Sequence, residues 1–486
     1  MLAVNTPQSV CRFGLAQCDV TPPLGIYHRA WGAALHDRAT GVHRQLTATA
    51  LVFQAATEPA LEGTEQVLVA VDHCLLGAAE IEALLTAVSG RTGLPAEQLV
   101  VVFSHTHAAG LMGLERRGLP GGELIPPYLE RLTAQVADIV VQARRSVAPA
   151  TVVYGTGRCA LAGHRDLWDT KSGQFVCGYN PDGPADDTVL VARVSYAAGR
   201  TAASVVNYAC HPTTLAWQNT LISPDFPGAM REVVEQATGA PCVFLQGASG
   251  DLGPREGFVG DPGVADRNGR QLGHAALAAL EALPPPGSSF RYAGPVISGA
   301  TLGSWEHLPL DAAELGRKGR WCRRRWTVDL PYRGDLCTVE QLEAARTNWQ
   351  VGEAAARQAG DLAKARDCRA MVERMTRWLN RVAALPRGKA FPLPVTLWQM
   401  GDALWLAVEG EHYQLLQRTL RKRFPGAPVI VATLANGSRP AYLPPADAYG
   451  KGIYQESIAV LAPGCLEQLI EAVAVQIGVW LADSPG

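Results

Sequence analysis

Short, continuous, largely β-branched apolar runs recur along the chain. They are Val67–Val71, Leu99–Phe103, Ala203–Ala209, Val243–Leu245 and Val429–Thr433, each bounded by polar or glycine-rich residues. Runs of this kind read as strands buried on both faces. Ala78–Val88 and Tyr128–Ala143 lie between them and read as helices. Strands alternating with helices predict an α/β fold, a layered mixed β-sheet core flanked by helices. The strand runs end at Asp72-His73, Ser104-His105-Thr106-His107, Cys210-His211, Gln246–Asp251 and Asn436-Gly437-Ser438. Where such strands are parallel, their carboxyl ends share a cleft that binds ligands.

Thr338–Ala384 has another texture. It is charged, alanine-rich and poor in proline, with Gly352 and Gly360 as breaks. It predicts an inserted helical hairpin, within an insertion spanning 305–390, that acts as a lid or an oligomer contact. It packs on its own chain or on a neighbour. Just before it, Arg317–Trp326 sets six basic residues among two tryptophans. That segment reads as a solvated basic surface anchored by tryptophan, or as an anion-binding rim beside the site. Pro284–Ser289 reads as an exposed loop. With no repeat of solenoid length and no low-complexity tract, 1–486 is expected to form one large domain.

Composition narrows the class. The 486 residues are 48% hydrophobic and 18% charged, which excludes disorder and coiled coil as the main architecture. A net charge of −2 gives no electrostatic reason to expect nucleic acid. No basic stretch followed by an apolar core opens the chain, and no window approaches 18 uninterrupted apolar residues. Neither a secretory signal nor a membrane span is expected. The 11 cysteines are odd in number and form no C-x-x-C pair, as expected of reduced thiols in a cytoplasm.

The residues that can carry chemistry sit at the strand ends. His105 and His107 share a face if the strand continues through them. Together they can bind a metal, or divide into one ligand and one acid–base group. Two buried, hydrogen-bonded histidines are the plain alternative. His211 ends another buried run, and Glu411 follows Leu404–Gly410 at a strand-to-helix junction. His105, His211 and Glu411 form a donor set suited to zinc with an open coordination position. They are dispersed, so no local H-E-x-x-H motif supports them. The segment QGASGDLGP, Gln246–Pro254, lacks the G-K-[ST] of a Walker A loop and the G-x-S-x-G of a nucleophile elbow.

In order along the chain, Phe13–Pro22, Ser104–His107, His211–Thr214 with Ile222–Asp225, Gly250–Pro254, Gly410-Glu411 and Ala441–Pro444 resemble the neutral/alkaline (non-lysosomal) ceramidase family, specifically its zinc-dependent N-terminal catalytic domain. The resemblance implies one zinc ion per chain, held by His105, His211, Glu411 and Tyr442, with Tyr449 as a rival for the last place. It implies that His107, Arg165 and Tyr454 surround the scissile amide, and that Ser249, Asp251 and Gly253 line the substrate side. Two departures stand out. The family's catalytic serine falls at Gly253, and the chain ends at Gly486 without the family's C-terminal β-sandwich. The expected activity is therefore zinc-dependent hydrolysis of an amide bond in a small N-acyl substrate other than membrane ceramide. The alternatives are a zinc esterase or deacetylase acting on a small polar or sugar-derived substrate, and a non-catalytic binding protein that keeps the zinc site.

Overall fold

The computed structural model describes residues 2–56, 63–197 and 199–482. Among these, eight strands form one sheet in the order Cys242–Gln246, Thr201–Tyr208, Thr188–Tyr196, Ala148–Arg158, Gln8–Asp19, Thr47–Ala55, Glu65–Val71 and Leu99–Phe103. Neighbours run antiparallel except for the outermost pair at each edge, which is parallel. A second sheet holds Trp321–Pro331, Ala390–Met400, Ala403–Val408 and Val429–Ala432, with its last pair also parallel. All five apolar runs are strands.

Alternation along these strands builds a four-layer stack. One face of the eight-stranded sheet buries Val67, Val69, Val101 and Phe103 under α1 (Ala78–Thr92) and α2 (Ile125–Arg145). Further along, the same helical layer continues as α3 (Phe226–Thr238) and α4 (Pro262–Glu281) over Val191, Val206 and Phe244. The opposite face sends Phe53, Leu68, Val102 and Leu245 against Trp398, Trp405 and Ile430 of the second sheet. The far face of that sheet buries Leu404, Leu406 and Val431 against α8 (Leu415–Arg423) and α9 (Cys465–Ala482). Strands buried on both sides have no polar face to show, which is why they read as continuous apolar runs.

The segment after Val429–Ala432 draws the two edges of the large sheet together. Thr433 donates its backbone N–H to Gln246 O on one edge strand at 3.0 Å. Asn436 exchanges two hydrogen bonds of 2.7 Å with the Val101 backbone on the other. Strand ends far apart in sheet order therefore meet.

α5 (Ala312–Lys318) precedes the basic strand. α6 (Val339–Gln358) and α7 (Leu362–Ala384) form the hairpin, opened by a Thr338–Gln341 capping box. The hairpin lies on its own chain: Glu373 pairs with Arg116 at 2.8 Å, and Arg374 reaches Ser457 Oγ at 3.1 Å. The remainder of 305–390 is strand and loop. The basic segment lies mainly on Trp321–Pro331, where Trp321 faces Met400 at the end of the second sheet remote from Glu411. Arg323 and Arg325 donate to the carbonyls of Glu97 and Ala96, and Arg324 stacks on Trp326. The anion-binding rim is corrected accordingly, because Arg323 and Arg325 are spent on carbonyls that precede Leu99–Phe103, at the opposite end of that strand from His105. α9 alone among the described helices is long and apolar enough to cross a membrane, yet Leu466, Leu469, Val473 and Ile477 pack beneath the second sheet as a core helix does.

Candidate metal centre

Three strand ends supply the centre. His105 follows Leu99–Phe103, His211 follows Thr201–Tyr208, and Glu411 follows Ala403–Val408. Their ligand atoms all lie within 4.8 Å of one another, and the side chains are buried. Glu411 Oε2 is 3.0 Å from His211 Nε2 and 3.3 Å from His105 Nε2. His105 Nε2 nevertheless has no hydrogen-bond partner, because the Glu411 oxygen lies off its donor direction. His105 has φ 69°, a left-handed conformation rare outside glycine, which turns its ring out of the strand line.

The other ring nitrogens are held from behind. His105 Nδ1 meets the Cys74 carbonyl at 2.7 Å, and His211 Nδ1 meets the Ser249 carbonyl at 2.7 Å. Such backing fixes the tautomer and aims Nε2 at a cation. Burial alone would raise the Glu411 carboxyl, but His105 and His211 outweigh it and hold its pKa well below the ordinary value. Burial also opposes charge on His105, yet Cys74 and Glu411 raise its pKa well above normal. The pocket thus demands a positive charge next to Glu411. An orphaned Nε2, two oriented imidazoles and one carboxylate fit a zinc ion. A second cluster, Cys74, His105 and His107, is equally close, but its His105 Nδ1 is already taken by the Cys74 carbonyl.

Tyr442 occupies a two-residue strand paired in parallel with Glu411-His412, so that Tyr442 sits opposite Glu411. Its hydroxyl is 3.3 Å from His211 Nε2 and accepts from Arg165 at 3.4 Å. Arg165 is buried and also donates to the Gly250 carbonyl at 2.5 Å. Burial opposes its charge, but Cys177, Tyr442 and Glu411 keep the guanidinium firmly protonated. Tyr454 meets Tyr442 edge-on at 5.8 Å and is 42% exposed, so it stands at the mouth. Tyr449 instead hydrogen bonds Leu461 O at 2.8 Å. His107 lies 5.0 Å from the His105 ring, with an unpartnered Nε2. Burial, then His105 and His211, press its pKa well below normal, so it is neutral.

The glycine-rich turn holds the centre from beneath. Gly250 donates to His412 O at 2.7 Å, and a Cβ there would lie 2.8 Å from Glu411 O. Ser249 backs His211, and the Asp251 carboxylate accepts from Gln414 N and Nε2 at 2.8 and 2.6 Å. Their polar atoms serve the scaffold rather than the open side. Gly253 pairs with Gly163 across a short sheet, and a Cβ on it would approach Arg165 Cδ at 3.1 Å and Thr213 Oγ1 at 3.6 Å.

Sequence reasoning missed several neighbours. Trp31 packs 5.0 Å from His107, and Trp217 and Phe258 complete an aromatic wall. Thr213 Oγ1 is buried without a partner. The signal for Thr213 was its place two residues after His211; Trp31 had none. A cavity of about 450 Å³ between α6, α7 and the 457–459 segment shares no residue with the donor set.

Comparison with known proteins found no matching family model. Neutral ceramidase of Pseudomonas aeruginosa is 26% identical over 275 residues, 54% of this chain and 40% of that protein. Neutral ceramidase B of Dictyostelium discoideum is 24% identical over 261 residues, 47% of this chain and 34% of that protein. The chain thus spans less than half the length of the curated relatives it matches. The crystal structure of the Pseudomonas aeruginosa neutral ceramidase superposes with a TM-score of 0.65 at 16% identity, covering 98% of this chain and 75% of that one. A structure titled "Ceramidase complexed with C2" gives 0.64 at 16% identity, covering 99% and 76%. The ceramidase resemblance read from the ordered motifs holds in both sequence and fold.

Proposed function

We propose that this chain, a homologue of the neutral ceramidases with their fold, is a zinc-dependent hydrolase of an amide (N-acyl) bond in a small substrate other than membrane ceramide. One observation carries the reading: three strand ends, distant in sequence, turn His105, His211 and Glu411 onto a common point. Bound there, a single zinc ion would polarise the substrate carbonyl and bring the pKa of water down to about 7.

The chain's own groups supply the rest. Tyr442, anchored by Arg165, offers a fourth oxygen donor beside His211. His107 Nε2, free and neutral, takes the proton of the attacking water and returns it to the leaving amine. Trp31 packs on that imidazole and excludes solvent from it. The Tyr454 hydroxyl, at the mouth, donates to the carbonyl oxygen as negative charge develops. With glycine at 253, no serine can attack from that position, so water is the nucleophile. The 11 cysteines, all unpaired, support a reducing compartment such as the cytoplasm.

The test is metal content and a matched substrate panel. Purified protein is expected to hold one zinc per chain by elemental analysis and to cleave N-acyl substrates faster than their O-acyl counterparts. Protein that hydrolyses nothing when zinc-loaded would refute the proposal. Cleavage of the O-acyl series alone would make it an esterase.

A further inference from the structure

The hairpin brings arginines to the mouth of the centre. Arg374, Arg377 and Arg381 of α7 are spaced by three and four residues and share one face of the helix. Two are committed. Arg374 bonds Ser457, and Arg377 bonds Glu373 Oε1 at 3.0 Å and the Ala30 carbonyl at 2.5 Å. Arg381 differs. Half-buried, it makes no hydrogen bond or ion pair among the described residues; its guanidinium stacks on Trp378, 5.3 Å from the ring centroid. Burial lowers its pKa, and the groups that act against this are Tyr454, Glu411 and Tyr442, all of the centre already described.

Four other arginines withdrawn from water pair with carboxylates, whereas Arg165 gives its donors to the Gly250 carbonyl and the Tyr442 hydroxyl. Arg116 pairs with Glu373, Arg231 with Asp72, Arg421 with Asp186 and Arg439 with Glu409. The Arg381 nitrogens keep an edge open to solvent, so its donors are free to take a ligand from the open side. Arg381 carries five N–H donors in a planar fork, the geometry that matches carboxylate and phosphate. Stacking on Trp378 holds the fork in place without occupying those donors. Glu411 cannot serve as its partner, since that carboxylate faces the two histidines.

We propose that Arg381 binds an anionic group, a carboxylate or a phosphate, on the part of the substrate that the α6–α7 hairpin covers, which makes the substrate class an anionic N-acyl compound. This rests on the amide-hydrolase reading above. The aromatic wall of Trp31, Trp217 and Phe258 on the His107 side is suited to the apolar part of such a molecule.

Three non-hydrolysable probes test it on the zinc-loaded protein: N-octylsulfonyl glycine, N-octylsulfonyl aminoethyl phosphate and the neutral N-octylsulfonyl glycinamide. Binding is read by tryptophan fluorescence in wild type, Arg381→Met and Arg381→Lys. Wild type is expected to prefer at least one anionic probe over the neutral one by about tenfold or more, the scale of a charge-assisted hydrogen bond. The preferred probe identifies the anion. Arg381→Met, which keeps the stem on Trp378, is expected to lose the preference while binding the neutral probe as before; Arg381→Lys should keep part of it. Equal binding of charged and neutral probes by wild type, or a preference that survives Arg381→Met, would overturn the assignment. N-acyl glycine and N-acyl glycinamide are then assayed for cleavage. Charge-selective binding without cleavage of either sinks the amidase reading and leaves the anion site standing. Cleavage without charge selectivity does the reverse.

Discussion

Gly250→Ala tests whether the glycine-rich turn sets the position of Glu411. The added Cβ would lie 2.8 Å from Glu411 O, 2.9 Å from His412 O and 2.9 Å from Tyr413 Cδ1. Two of these atoms are backbone, tied to Gly250 by its own 2.7 Å hydrogen bond to His412 O. Ordinary contact begins at 3.4 Å, so the Glu411 strand must retreat by about 0.6 Å, at a cost typical of overpacking, about 1–3 kcal/mol. That retreat moves a carboxylate that now lies 3.0 and 3.3 Å from the two histidine nitrogens out of the donor set. Zinc affinity is expected to fall roughly 10–100-fold, the usual effect of disturbing the shell behind a ligand. Competition against a fluorescent chelator reads the affinity, and thermal unfolding reads the stability. Gly253→Ser is the internal control, since its Cβ meets chiefly the flexible stem of Arg165. Wild-type zinc affinity and melting temperature in Gly250→Ala would refute the reasoning.

Further outcomes follow from the same geometry. Chelation should lower the melting temperature of wild type, and zinc should restore it; His105→Ala should show no such response, and an unresponsive wild type would count against the centre. Burial first, with His36 acting the same way, lowers the pKa of His28 to about 4. The unfolded chain takes up that proton below pH 6.5 and the folded one does not, so stability is lost as pH falls from 6.5 towards 4. At pH 5 the loss from His28 is about 2 kcal/mol; His28→Gln should make the urea-midpoint curve less steep between pH 7 and 5, His73 and other buried histidines keeping part of the slope, and parallel curves would contradict this. Arg231→Met strands the Asp72 carboxylate, now paired at 2.6 Å, and should cost about 3–5 kcal/mol in equilibrium unfolding; a change under 1 kcal/mol would show that the pair contributes little.

The parts of the fold that repeat a simple period were legible in the sequence. Strands buried on both faces leave only apolar residues, and Leu99–Phe103 or Val429–Ala432 could hardly be anything else. The meeting of the two edges of the large sheet was not legible, because it depends on Asn436 and Thr433, which lie far along the chain from the Val101 and Gln246 they bond. The donor types of His105, His211 and Glu411 were visible at strand ends, but only motif order tied them together. Tyr442 was separable from Tyr449 only by position: one faces His211 and the other supports Leu461. Arg381 looked like any charge on a solvated helix. Nothing in α7 announces that Arg374 and Arg377 are engaged by Ser457, Glu373 and Ala30 while Arg381, on the same face, is left over.

The placement of the donors across the layers has one more consequence. His105 and His211 hang from the large sheet, whereas Glu411 and Tyr442 pair in a two-stranded ribbon whose first strand follows directly on Ala403–Val408 of the second sheet. A cation seated among them acts as a rivet through the joint, and the two slabs cannot part without dismantling it. Ion affinity and inter-slab cohesion are then a single quantity read in two ways, and a substitution that loosens Trp398 against Phe53, far from any donor, should register first as metal leakage.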